Sequence, residues 1–383
     1  MKPLPLLIIL LVLTHIATNG ARVALTLFAI NLDANAFTVG ALIATYSFLP
    51  ALLSVTAGRW IDRVGLARPV LIGAIGVGVG TALPFFWSAL PMLYFASAMV
   101  GVSFMLCNIA AYHAVGEMSS AEDRPANFSY LALGFSVSSF IAPIFAGVGI
   151  DTVGFRATFL LLALFTVLPI IAVALGTLAH TRNASAHESA AARDTNASVF
   201  DLLKSPVLRY LFITMAILTL AWDVYGFAVP VHGTALGLSA SEIGIVMGAF
   251  AAGNFTVRLA LPFLAKWATP WTVLTAALFV TGLTYIAVPF ASHVVALMAL
   301  MYCLGLGLGA PQPMVLTLLH EAAPPGRAGE ALGLRTTLIN TSQTIMPLVF
   351  GALGTALGMS PLFWGMAGIL LIGGIATKWV RRD

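Results

Sequence analysis

Charge is what this chain has least of. Asp, Glu, Lys and Arg make up 8% of its 383 residues, where a soluble domain carries about 25%. With 60% of residues hydrophobic, such a chain belongs in a bilayer as a polytopic protein. Cysteine is nearly absent: Cys107 and Cys303 both lie inside apolar runs, which excludes a disulfide framework and a thiolate metal cluster. No His, Cys or acidic spacing matches a zinc or iron site, so neither metal nor cofactor is expected. No Gly-x-x-x-x-Gly-Lys phosphate loop occurs, and direct ATP drive would need another subunit. The net charge of +4 carries no indication of nucleic acid, because in such a chain basic residues report topology first.

Apolar segments fall at 6–30, 39–57, 69–87, 90–112, 127–148 and 156–178, then at 207–231, 243–264, 271–290, 294–319, 331–357 and 362–380. Each is near the roughly 20 residues that a helix needs to cross the hydrocarbon core. The expected fold class is therefore an all-α membrane protein of twelve transmembrane helices, in two six-helix bundles at 1–179 and 207–383 with a polar linker at 180–206. The first run is followed by small residues, Ala17 and Ala21 among them, as a cleaved signal peptide would be. It continues past Arg22 to Ile30, however, and is read as a retained helix.

Between the second and third segments lies Gly58-Arg59-Trp60-Ile61-Asp62-Arg63-Val64-Gly65-Leu66-Ala67-Arg68-Pro69, read as a connector whose arginines keep it cytoplasmic. Fourteen basic residues fall on that side: Lys2, Arg59, Arg63, Arg68, Arg124, Arg182, Arg193, Lys204, Arg209, Lys266, Arg327, Lys378, Arg381 and Arg382. Arg156 falls on the other, and Arg22, Arg258 and Arg335 lie within helices, which accounts for all 18. An error of one in the segment count would mix the sides. Both termini and the linker are thus expected in the cytoplasm, and the chain in an inner membrane of bacterial type.

The halves repeat. An offset of 204 takes Gly40 to Gly244, Gly101 to Gly305, Glu117 to Glu321, Pro143 to Pro347 and Gly147 to Gly351. Parallel repeats of six helices are the arrangement of major facilitator transporters. The stretch from Gly58 to Arg68 resembles the loop between helices two and three that marks the major facilitator superfamily. The resemblance covers the whole chain. It implies alternating access by rocking of two bundles, a central cavity lined by helices 1, 4, 7 and 10, and a cytoplasmic gate at Gly58, Asp62 and Arg63. The antiporter pattern of helix five is partly met by Ala142-Pro143-Ile144-Phe145-Ala146-Gly147. The arginine that drug/proton antiporters of the family carry in helix four is missing from 94–112.

A charge at the bilayer centre costs roughly 2.5 to 3.5 kcal/mol on insertion scales, so four cost about 10 kcal/mol, comparable with a domain's whole stability. Arg22, Asp223, Arg258 and Arg335 are therefore the foremost candidates. His15, Asn19, Arg22 and Thr26 follow helical spacing along one stripe, which the offset maps onto Thr219, Asp223, Gly226 and Pro230. Arg22 and Asp223 sit at matched depth and are expected to pair, either as an outer closure that protonation of Asp223 loosens or as a permanent structural pair. Arg258 and Arg335 lie roughly 12 Å deep at 1.5 Å per residue. They either snorkel and pair locally, Arg258 with Asn254 and Arg335 with Glu330, or make the interior net positive. Asn108 and Gln312 are related by the offset, and Gln312 sits between Pro311 and Pro313. They are read as solute contacts or as interhelical hydrogen bonds. His113, His320 and His232 are read as interfacial, and Gly305, Gly307 and Gly309 as close helix packing.

Three intramembrane arginines against one aspartate favour an anionic or polar organic solute, since arginine offers a bidentate fork. The expected partners are that solute, a proton as coupling ion and the lipid bilayer, with no nucleic acid, and the protein is expected to be monomeric. The alternatives are efflux of hydrophobic drugs by proton antiport and a non-transporting sensor that kept the fold. No acid, base and nucleophile converge, so an enzyme is not expected.

Overall fold

A computed structural model describes residues 3–118, 124–177, 204–264, 268–322 and 328–380. Among them the regular elements are helical: α1 Pro3–Asn31, α2 Ala36–Val64, α3 Ala67–Phe86, α4 Leu90–Met118, α5 Arg124–Leu164, α6 Val167–Ala174, α7 Pro206–Ala235, α8 Ala240–Leu264, α9 Pro270–Ala287, α10 Val294–Gly309, α11 Pro311–Ala322, α12 Ala328–Leu357 and α13 Ser360–Val380. Nine stretches of the described residues are long and apolar enough to cross a membrane; one of them, Tyr130–Ala174, is 45 residues long. That stretch crosses twice, because α5 turns at Gly154, whose φ of 82° lies in the left-handed region open to glycine. With α10 and α11 counted as one interrupted passage and the 30-residue α12 as another, the described residues supply twelve.

Two expectations about element ends need correction. The basic stretch is not a free connector: α2 continues through Gly58, Asp62 and Arg63 to Val64. It stops at Gly65 (φ 80°), whose N–H donates to the Ile61 carbonyl at 2.9 Å. Only Gly65 and Leu66 separate α2 from α3. The tenth passage is also not one helix. It breaks at Ala310, because Pro311 and Pro313 carry no N–H and so remove the helical donors to the Gly307 and Gly309 carbonyls.

The described residues group into two compact units, one of residues 1–189 with Gly233–Gly248, the other of 190–232 and 249–383. The division at 180–206 expected from the sequence falls almost wholly outside the described residues, and α8 contributes to both units. In the first unit Leu7, Leu10 and Leu11 of α1 pack with Ile61, Val70, Cys107, Ala111 and Leu131. The repeat is visible in packing. A side chain at Gly101 of α4 would run into the Tyr46 carbonyl of α2, and one at Gly305 of α10 into the Phe250 carbonyl of α8. Both residues of the first contact map onto the second by the same 204. Gly307 meets Thr281 of α9, and Gly309 meets Asn254 of α8. The glycines of α10 thus permit close packing, as expected.

Candidate functional site

A cavity of about 320 Å³ lies within the second unit, at the small end of the range for ligand pockets. α7 lines it with Met215, Leu218, Thr219, Trp222 and Asp223, a spacing that keeps them on one helical face. α12 contributes Arg335, Ile339 and Gln343, at intervals of four. α8 contributes Arg258, and the broken passage contributes Leu308, Pro311, Gln312 and Val315. Four of the residues singled out from the sequence, Asp223, Arg258, Arg335 and Gln312, therefore face one space.

Their partners define the site further. Asp223 is 6% exposed and accepts a hydrogen bond from the Ser342 hydroxyl at 2.7 Å, as a buried carboxylate requires. Arg258 donates from Nη2 to Gln312 Oε1 at 3.1 Å, a bond that orients the guanidinium. Gln312 lies in the first turn of α11, two residues past the break at Ala310. Trp222 packs edge-on to Phe250, with ring centroids 5.0 Å apart, so its indole forms a fixed apolar wall. Ser342, Gln343 and Trp222 were not foreseen. Being uncharged, they carry less of the insertion penalty that singles out Asp and Arg, although 335, 339 and 343 show a helical interval.

In the first unit the α1 stripe forms a second polar group. The Ser138 hydroxyl donates to the Phe135 carbonyl at 2.9 Å, so it accepts from His15 Nδ1–H. That leaves His15 Nε2 to accept from Asn19 Nδ2 at 3.2 Å, and the network assigns a neutral imidazole. Asn19 Nδ2 also lies 3.4 Å from Ser139 Oγ. The His15 ring stands 5.1 Å from that of Phe104 and 4.5 Å from that of Phe135. Arg22 lies over the Tyr46 ring of α2 at 5.6 Å, a cation–π contact. Asn108 is half-buried on α4, one turn beyond Phe104. Arg22 and Asp223 fall in different units, and each has the local partner just given. Of the expected gate, Gly58 and Arg63 lie in the last two turns of α2, with Arg63 exposed. The Asp62 and Glu330 side chains lie outside the described ones.

A twelve-pass helical protein with an internal repeat and a charged intramembrane cavity has the construction of a secondary transporter. A family profile described as Major Facilitator Superfamily matches residues 7–342 and 273–383. The chain belongs to this superfamily. It is 23% identical to multidrug resistance protein 1 of Bacillus subtilis (strain 168) over 321 residues, covering 82% of this chain and 80% of that protein. It is 24% identical to the class E tetracycline resistance protein of Escherichia coli over 332 residues, covering 83% and 78%. Among solved structures, a peptide transporter of the POT type in complex with sulfate superposes with a TM-score of 0.78 at 15% identity, over 100% of this chain and 94% of that one. A bacterial homolog of the human lysosomal transporter Spinster, inward-facing and unoccupied, does so with a TM-score of 0.72 at 15% identity, over 98% and 94%. These likenesses agree on the fold, and the protein is a multi-pass membrane transporter of small solutes.

Proposed function

We propose that the second-unit cavity is the solute site, that its solute is an amphipathic organic anion, and that Asp223 carries the coupling proton. The observation that supports this is the convergence of two guanidiniums and one carboxylate on a single intramembrane space walled by Trp222, Met215, Leu218 and Ile339. With Asp223 ionised, these three side chains sum to one positive charge, which suits a monoanion. Arg258 and Arg335 offer it forked donors, and the apolar wall takes its body. Protonating Asp223 removes the competing negative charge. By linkage, anion binding then strengthens as pH falls, and a bound anion favours proton uptake to the same extent. Both termini and the gate at Gly58, Asp62 and Arg63 are proposed to face the cytoplasm, a reading that the skew of basic residues supports.

A second reading is proton-coupled efflux of hydrophobic or cationic compounds, favoured by the resistance proteins among the relatives. The two differ in sign, since a cation competes with the proton and binds more weakly as pH falls. The test is a thermal-shift screen of the purified protein against aromatic and aliphatic carboxylates, sugars and cationic drugs at two pH values. Carboxylates are expected to stabilise the protein, more so at the lower pH, and Asp223→Asn is expected to abolish that pH difference. Stabilisation by cationic drugs alone would sink the anion reading.

A further inference from the structure

At the side of the membrane opposite the α2–α3 turn, the leg of α5 that ends at Gly154, called here the end of α5, meets the start of α8. There α8 begins with a complete capping box of its own. Ser239 N–H donates to Glu242 Oε2 at 2.8 Å, and Glu242 N–H donates to Ser239 Oγ at 3.2 Å. This satisfies the first and last of the four N–H groups that a helix start leaves without intrahelical partners. The middle two are taken by a single carboxylate from α5: Ala240 N–H lies 3.2 Å from Asp151 Oδ1, and Ser241 N–H lies 2.7 Å from Asp151 Oδ2.

Behind this contact the two helices lie backbone to backbone. A side chain at Gly147 would strike the Ala240 carbonyl, one at Gly244 the Pro143 carbonyl, and one at Gly248 the Ile144 side chain. The seam is thus fastened at its open end by one carboxylate, which takes a fork of charge-assisted hydrogen bonds from the two N–H groups and further bonds from the Ser239 and Ser241 side chains. Because Asp151 is exposed and α8 keeps its own cap, separation takes this partner from two N–H groups and from the Ser239 and Ser241 side chains, all at a position water can reach. The internal repeat supplies a comparison. The position equivalent to Asp151 is Thr355, whose hydroxyl donates to Gly351 of its own helix at 2.8 Å. The carboxylate clamp belongs to the α5–α8 seam alone of the two repeat-related positions.

We propose that Asp151 is a positioning residue for transport: its carboxylate clamps the first turn of α8 to the end of α5, and release of this clamp is a step of the transport cycle. This goes beyond the assignment of the solute site and needs no solute to test. The reporter is Ile144→Cys, set in the seam, in a background of Cys107→Ala and Cys303→Ala, with the protein in lipid nanodiscs and a membrane-impermeant maleimide as probe. Asp151→Ala is expected to raise the labelling rate about tenfold, the loss of roughly 1.4 kcal/mol of closure, with an unchanged melting temperature. Ala240→Pro deletes one of the two N–H donors at a helix position where proline is favoured, and a smaller rise is expected from it. Thr152→Ala, beside the clamp, should leave the rate unchanged. The parent rate in both Asp151→Ala and Ala240→Pro, or a rise that only tracks a fall in melting temperature, overturns the proposal.

Discussion

Gln312 gives the anion site its sharpest handle at the scale of single residues, because it is the neutral partner of a charged group. Its Oε1 accepts from Arg258 Nη2 at 3.1 Å; a carboxylate of the same shape would hold that guanidinium more tightly and cancel its charge. Gln312→Glu is therefore expected to weaken carboxylate binding by about tenfold or more, the effect of about 1.5 to 3 kcal/mol in one hydrogen bond to a charged group. The same change should improve binding of cationic drugs. Isothermal titration of the purified variant against both classes checks it, and a parallel loss for both would mean that Gln312 merely shapes the cavity. Asp223, Arg258, Arg335 and Gln312 were legible in the sequence because charge inside an apolar run is costly and so needs a reason. Asp151 was not, although it stood in plain view. Basic residues report topology, and a carboxylate near a span end carries little information of that kind. Its role emerges only when α8 is seen to begin beside it.

For the helices themselves, segment count and order could be read from hydropathy, while their ends and breaks could not. α2 overran its expected end because Arg59, Asp62 and Arg63 are compatible with a helix leaving the bilayer, and only Gly65 supplies the left-handed turn that stops it. The break at Ala310 was foreshadowed by Pro311 and Pro313. What the sequence hid there was its use, the delivery of Gln312 to a space shared with α7 and α12. The glycines carry a prediction at this scale. Gly101 and Gly305 meet backbone carbonyls, which have no freedom to move aside, so Gly101→Val and Gly305→Val should each destabilise by about 1 to 3 kcal/mol through overpacking. At Gly368 of α13, an added side chain meets nothing within 4 Å, and Gly368→Ala should be neutral or gain up to about 1 kcal/mol from the alanine preference of helices. Melting temperatures of the three variants in one detergent give the comparison. Equal behaviour of the three would remove the packing role assigned to the repeat-related glycines.

For the whole molecule, twelve passages are expected to leave both termini on one side, and the charge rule proposes the cytoplasmic one. From the sequence, fourteen basic residues are expected on the side of the α2–α3 turn and Arg156 opposite. In its place Arg156 is occupied by structure: Nε and Nη2 donate to the Phe85 carbonyl at 2.9 and 2.7 Å, at the end of α3, where a helix dipole favours a cation. The one expected exception to the charge rule thus serves as a helix cap. A green fluorescent protein fused after Asp383 should therefore fluoresce in cells, since both termini are expected inside. Alkaline phosphatase fused after Ser88, in the α3–α4 connection, should be active, and fused after Leu66 it should be inactive. The reversed pattern would turn the protein over in the membrane and place the Asp151 clamp on the cytoplasmic face. Active phosphatase at both sites would instead break the passage count on which the repeat, the shared cavity and the seam all depend.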